Sequence, residues 1–338
     1  MESSASTERP VTAAPPEAPE ADLVARPPSR LRVAVGAAVS IAALGGCVWW
    51  GLQQDAPQFP HGAGSWALLV IAALLTAGTA AARGWRWDAI LRFSAIGHQR
   101  GDAYGLTAVG YMANNVLPAR GGELVRVFML SDRSGARRRM VLGTVLTERA
   151  LDAGTLVILF AVLTAFNVAD SPAGRAPAFI AAGVVVLAVV AMVVYLRLRI
   201  AGRFQSFADR MRVVLRPFRL LISWHGVLLA LLTSGIWALE ALIFWLVAQS
   251  LNLDVSPLGA SLVVVLASFF ALIPAAPGYV GTFDAAVLFA LHALKVPSDS
   301  ALGAAITYRF VIFVPITLAG LILLITHYGG LRQALRRT

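Results

Sequence analysis

A single cysteine, Cys47, excludes an intrachain disulfide and any metal site built from several cysteines. The five histidines (His61, His98, His225, His292 and His327) are scattered, and none joins an aspartate in a metal-binding pattern. No glycine-rich nucleotide loop is present, and no nucleophile stands beside a base. No metal and no cofactor are therefore expected, and an enzymatic role is less expected than one in binding or movement. Any movement would be passive or ion-coupled. Charge is scarce too: 14% of residues are ionised, against about a quarter in a soluble domain.

What is abundant is apolar surface. The chain is 58% hydrophobic, with a mean hydropathy of +0.73, and reads as an all-α polytopic membrane protein. A net charge of +10 would suggest nucleic acid in a soluble protein. Here the arginines fall between apolar runs, so membrane orientation and anionic headgroups explain them instead, and no nucleic-acid partner is expected. Residues 1–30, rich in Pro, Ala, Ser and Glu, read as a disordered cytoplasmic tail. Leu44-Gly45-Gly46-Cys47 matches a lipoprotein-type cleavage box, but the long tail before it argues against processing.

Six full spans are expected, over about 31–52, 65–82, 140–168, 177–196, 226–250 and 301–326, with a cytoplasmic tail at 329–338. Loop 53–64 has no Lys or Arg, whereas Arg26, Arg30 and Arg32 precede the first span and Arg83, Arg86, Arg92 and Arg100 follow the second. The positive-inside rule then puts both termini in the cytoplasm, in a cytoplasmic (inner) membrane. Trp49, Trp50, Trp66, Trp85 and Trp87 fall near span ends, as an aromatic belt. Arg203 to Arg219 carries apolar residues on a helical period and reads as an interfacial helix on anionic lipid.

Two further apolar stretches are interrupted. Between Tyr104 and Leu130 lie Asn114, Asn115, Pro118, Arg120, Gly121, Gly122, Glu123 and Arg126, a mixture that neither favours a continuous helix nor suits lipid. One reading is a broken, re-entrant or spanning hairpin whose tip is buried in protein or lines a wet cavity. The other is a cytoplasmic loop between ordinary helices. Pro274 to Asp284, with Pro277, Gly278 and Gly281, interrupts a second pair of arms. Residues 31–168 and 177–326 then repeat one plan, two spans, a broken hairpin and a span, starting from opposite sides. An inverted repeat of this kind points to a transport site near the midplane.

Ionisable residues inside apolar stretches ask for partners. Glu148 and Asp152 stand at i and i+4 beside Arg149, and Glu240 and Arg309 lie within spans. Arg120, Arg126 and Arg309 suit phosphate through planar, charge-assisted hydrogen bonds, and Glu123, Glu148, Asp152, Glu240 and Asp284 could hold them when no lipid is bound. Asn114 and Asn115 offer donors and acceptors to a headgroup. Arg120, at the break, is expected as the principal headgroup contact. Against this stands a purely structural reading, in which the pairs only lock helices together.

Asn115-x-x-Pro118-x-Arg120-x-Gly122-Glu123-x-x-Arg126, Glu148-Arg149-x-x-Asp152, Pro277-Gly278-x-x-Gly281 and Tyr308-Arg309 together resemble the motifs of the lysylphosphatidylglycerol synthase transmembrane region, a flippase-like family of integral membrane proteins. The resemblance covers about residues 31–328. It implies lipid flipping, here of an anionic or polyprenyl-phosphate-type lipid by alternating access, with membrane lipids as partners. Two departures are Tyr279, where the family often has glycine, and Asp284, where it often has glutamate; the shorter acid is expected to weaken its pairing. The aminoacyl-transferase domain of the synthases is not expected here, nor is lipid aminoacylation by this chain alone. Two other roles stay open. One is a membrane-embedded transferase in glycolipid, hopanoid or envelope-lipid synthesis, and the other is an accessory partner of a lipid-synthesis enzyme.

Overall fold

The computed structural model describes residues 59–117, 121–166, 211–271 and 277–329, and every regular element within them is helical. The first, α1 (Ala63–Phe93), has 31 residues and no proline. At about 1.5 Å per residue it is roughly 46 Å long, well beyond the ~30 Å hydrocarbon layer. Sequence reading ends this span at Ala82 and assigns Arg83, Arg86 and Arg92 to a loop. The helix instead runs through them. Nothing in that stretch breaks a helix, because Gly84 is needed for contact: a Cβ there would lie 2.9 Å from Tyr104 Cδ1. The helix stops at Ser94 and Ala95, whose φ is 57°. His98 secures the turn, with Nδ1 2.8 Å from the Ile96 carbonyl and Nε2 2.8 Å from Asp88.

Helices α2 (Arg100–Val116) and α3 (Gly121–Ser134) form the first interrupted pair. They are followed by α4 (Arg138–Ala165). The expected interfacial helix is only partly within the described residues: it is helical over 211–215 and tightens to a 3₁₀ turn over Arg216–Ile222. Pro217, with no N–H to give, stands at the start of that turn. Ser223 then caps α5 (Trp224–Ser250), its hydroxyl accepting the Gly226 N–H. Ser256 caps α6 (Pro257–Phe270) in the same way. A 3₁₀ turn at Pro277–Tyr279 leads into α7 (Thr282–Ala293), and α8 (Ser298–Thr326) completes the set. Among the described residues α1, α5 and α8 are long and apolar enough to cross a membrane. The expected spans 31–52 and 177–196 lie outside the described residues, as do Cys47, Trp49 and Trp50.

Packing forms two large apolar cores and a small third one of Ile90, Leu151, Leu220 and Leu229. Phe244, Val263, Val287 and Ala304 belong to one of the large ones, built from α5, α6, α7 and α8 with residues of α1 and α4. Trp87, Leu106, Leu130, Val145 and Leu324 belong to the other, built from α1 to α4 and the end of α8. The start of α2 lies against the end of α8, where Gly105 backs onto Tyr328. The start of α6 lies against the end of α7, where a Cβ on Gly259 would lie 3.2 Å from Leu294. The two interrupted pairs approach each other at their breaks, where a Cβ on Gly278 would stand 3.4 Å from the Asn115 carbonyl.

Trp66 and Trp85 are exposed, 59% and 48%, as belt residues should be. Trp87 is not one of them. It is fully buried, its indole N–H donates to Thr144 at 3.0 Å, and the Arg126 guanidinium lies 4.0 Å from its ring.

Candidate functional site

Between the two large cores lies a layer of charge. Arg86 reaches from α1 to α4, donating from Nη1 to Asp152 at 2.7 Å and from Nη2 to the other carboxylate oxygen at 3.2 Å. Nη1 also donates to the Thr233 hydroxyl of α5 at 3.0 Å, and Glu148 lies 3.6 Å from Nη2. The Arg86 side chain has no solvent exposure. From α3, Arg126 donates to Glu148 at 2.6 Å. Gly110 makes room for it, because a Cβ there would meet the Arg126 Cγ at 2.6 Å. Arg149 lies 3.5 Å from Glu123 and 3.4 Å from Asp152. Arg83 pairs with Glu240 at 2.8 Å.

Among the described residues four guanidiniums (83, 86, 126 and 149) thus face four carboxylates (123, 148, 152 and 240), and the charges of the layer balance. Neutrality is what lets α1, α3, α4 and α5 hold ions in an apolar bundle, since a lone buried charge costs far more than a pair. Among the described residues, the buried polar atoms here with neither a hydrogen-bond nor an ion-pair partner are donors: Nε of Arg86 and Arg126, and Nε1 of Trp237. A layer short of acceptors suits an oxyanion.

The breaks are built differently from each other. In the first, the Asn114 side-chain oxygen accepts the Gly122 N–H at 2.9 Å, and the Asn115 amide donates to Thr317 of α8 at 2.7 Å. Asn114 thus ties the two arms of the hairpin together, and Asn115 ties α2 to α8. Pro118 and Arg120 lie outside the described residues. In the second break, Gly278, Tyr279 and Gly281 all have positive φ, at 66°, 54° and 87°. Tyr279 is therefore a non-glycine in the left-handed region at a position where the family often has glycine. Its ring centroid lies 6.4 Å from that of Phe313.

Asp284 sits in the first turn of α7 and accepts the Gly281 N–H at 2.9 Å. Arg309 grips it with two bonds of 2.8 Å and donates a third, of 3.0 Å, to the Gly278 carbonyl. The shorter acid still reaches its arginine. A two-pronged guanidinium matches an aspartate as well as a glutamate once the backbone brings it close enough. The Arg309 guanidinium also lies 4.9 Å from the Phe313 ring.

Sequence reasoning brings five acids to three arginines, and only Arg126 and Arg309 of those three are seen to meet them. The partners of Asp152 and Glu240 on α1, Arg86 and Arg83, are absent from its candidates. Charge balance could have found them: Glu123, Glu148, Asp152 and Glu240 exceed Arg126 and Arg149 by two, and Arg83 and Arg86 are the nearest arginines beside a span. Among the described residues no group of three His, Cys, Asp or Glu is placed to hold a metal ion.

Two UPF0104 membrane proteins from archaea are similar to this chain. That of Methanothermobacter thermautotrophicus is 26% identical over 280 residues, which is 72% of this chain and 80% of the relative. That of Methanocaldococcus jannaschii is 21% identical over 215 residues, 62% and 92% of the two. No solved structure matches. The sequence profile described as the lysylphosphatidylglycerol synthase TM region matches residues 33–320, and with the interrupted helices and paired charges in place the chain belongs to that family of membrane proteins.

Proposed function

We propose that this protein moves an anionic or polyprenyl-phosphate-type lipid across the cytoplasmic membrane, its phosphate exchanging with carboxylates for buried arginines. The observation that carries this reading is the neutral layer of four guanidiniums and four carboxylates, lying between helices rather than at a surface. Ion pairs of this kind can trade one anion for another without stranding a charge. Two breaks that approach each other within the bundle support alternating access in an inverted repeat. The acyl or prenyl tails would stay in the bilayer.

The reading fixes a topology that labelling can check. In a Cys47→Ser background, a cysteine in place of Asp254 or Pro297 is expected to react with an impermeant thiol reagent applied outside the cell. A cysteine in place of Gln99 is expected not to, although all three positions are exposed. Reaction of the Gln99 and Pro297 positions from one side removes the inverted arrangement.

Movement itself is tested with purified protein in liposomes containing fluorescent phosphatidylglycerol, reading the fraction of label that reaches the opposite leaflet. Arg120→Lys keeps charge but loses the bidentate fork, so the rate falls, and Arg120→Ala falls further. Equal rates in all three chains place headgroup recognition elsewhere. No movement by wild type, together with new lipid product by mass spectrometry, replaces the transporter with a transferase.

A further inference from the structure

Arg83 differs from the other three guanidiniums of the layer. Arg86 and Arg149 each have two carboxylates, and Arg126 has Glu148 and the face of Trp87. Arg83 has one carboxylate within ion-pair distance, Glu240 at 2.8 Å, and Glu240 in turn has Arg83 alone among the described residues. Both side chains keep some exposure, 14% and 11%. The Arg83 guanidinium stands 5.4 Å from the Tyr111 ring and 5.7 Å from the Trp237 ring. Trp237 is only 8% exposed, and its indole N–H has no acceptor among the described residues. An indole and a phenol therefore flank the one guanidinium that Glu240 pairs with.

We propose that Arg83 takes the phosphate of a lipid in exchange for Glu240, and that the displaced Glu240 takes up one proton. This rests on the lipid-moving reading, and it names the recognised group, a phosphate ester, and an energy source, the proton gradient. Trp237 and Tyr111 would add donors to the phosphate beside the fork of Arg83. The proton follows from what surrounds Glu240, near the middle of α5. From α1 it faces Arg83. Tyr308 of α8 is in electrostatic range of it, and Asp152 and Arg149 of α4 and Tyr111 of α2 act on Arg83. The α6 helix packed against α5 carries no ionisable side chain. Arg86 and Arg149 are held by Asp152, Glu148 and Glu123, and the 3₁₀ turn with Arg216 and Arg219 packs against the start of α5, at Gly226, not its middle. Among the described residues no second cation is therefore ready to receive the carboxylate, and a lone charge there is costly, so it becomes a neutral carboxyl. The balance is one carboxylate plus one proton giving one carboxyl, reversed on release, with no other bond made or broken.

The test uses the full chain in detergent with dioctanoyl-phosphatidylglycerol, titrated by calorimetry in buffers of different ionisation heat from pH 5.5 to 8.5. Wild type is expected to take up about one proton per lipid, so that affinity falls about tenfold per pH unit where Glu240 must be protonated. Glu240→Gln is expected to bind lipid with no proton uptake and a flat pH profile. Arg83→Lys and Arg83→Gln are expected to lose about ten- to a hundredfold in affinity, as befits a charge-assisted bond. Dioctanoylglycerol, which lacks the phosphate, is expected to give no proton uptake. The wild-type proton count needs no variant, so misfolding of Arg83→Gln does not blunt the test. Lipid binding without proton uptake, or an unchanged pH slope in Glu240→Gln, overturns the exchange while leaving the lipid reading intact. The same uptake with inorganic phosphate alone makes the free ion the ligand and overturns the lipid part. No binding of phosphatidylglycerol by wild type overturns both.

Discussion

Arg86→Met is expected to lower stability by about 3–5 kcal/mol, the cost of leaving one member of a buried ion pair without its partner. The side chain is fully buried and makes three hydrogen bonds of 2.7–3.2 Å, to Asp152 and Thr233. Removing it leaves the layer with one carboxylate too many, and Arg149, already 3.4–3.5 Å from its two acids, is poorly placed to take over. The check is thermal unfolding of the purified protein in detergent, followed by tryptophan fluorescence. Arg138→Met serves as contrast. It removes a guanidinium that is 38% exposed and lies 3.4 Å from the partly exposed Asp132, where roughly 0–1 kcal/mol is at stake. Adding Asp152→Asn to Arg86→Met restores neutrality and is expected to recover part of the loss. A wild-type melting temperature for Arg86→Met alone would mean that the pair contributes no net stability.

Arg86 also shows where sequence reading reaches its limit. Hydropathy carries the long helices well: α5 and α8 begin within three residues of their expected starts. Proline and glycine locate both interruptions, because backbone chemistry is local. The end of α1 is not local. Arg86 and Arg83 look like loop arginines until Asp152 and Glu240, far along the chain, neutralise them. A positive-inside count sees the charge and not the acid that cancels it. Trp87 fails for the same reason: its place at a span end suggests a belt, while Thr144 and Arg126 claim it for the core. The intramembrane acids were legible as a set, since each is costly alone. Which arginine each would meet depended on helix rotation, and periodicity within one segment does not carry that.

Gly122→Ala is expected to disable the first interrupted pair. The Cβ it adds would run into the Gly110 carbonyl and lie 2.7 Å from the Asn114 side-chain oxygen and 2.8 Å from the Asn114 backbone nitrogen. Two of those three atoms are backbone, and the third is held by the Gly122 N–H itself, so no side chain can swing aside. Helix α3 must then move away from α2. Overpacking of this kind costs about 1–3 kcal/mol or more. The movement also carries Arg126, one turn further along α3, away from Glu148 at 2.6 Å and from the face of Trp87 at 4.0 Å. The loss should therefore exceed that of a simple steric clash and reach the charged layer. Gly154→Ala, on α4 with open space around its Cβ, is the matched control. There the same methyl group should leave stability unchanged or raise it by up to about 1 kcal/mol through helix propensity. Melting temperature and lipid movement in liposomes, measured on both variants, read the two effects together. If Gly122→Ala melts and moves lipid like Gly154→Ala, α2 and α3 do not approach closely enough for the break to position Arg126, and the charged layer must be held together from α1, α4 and α5.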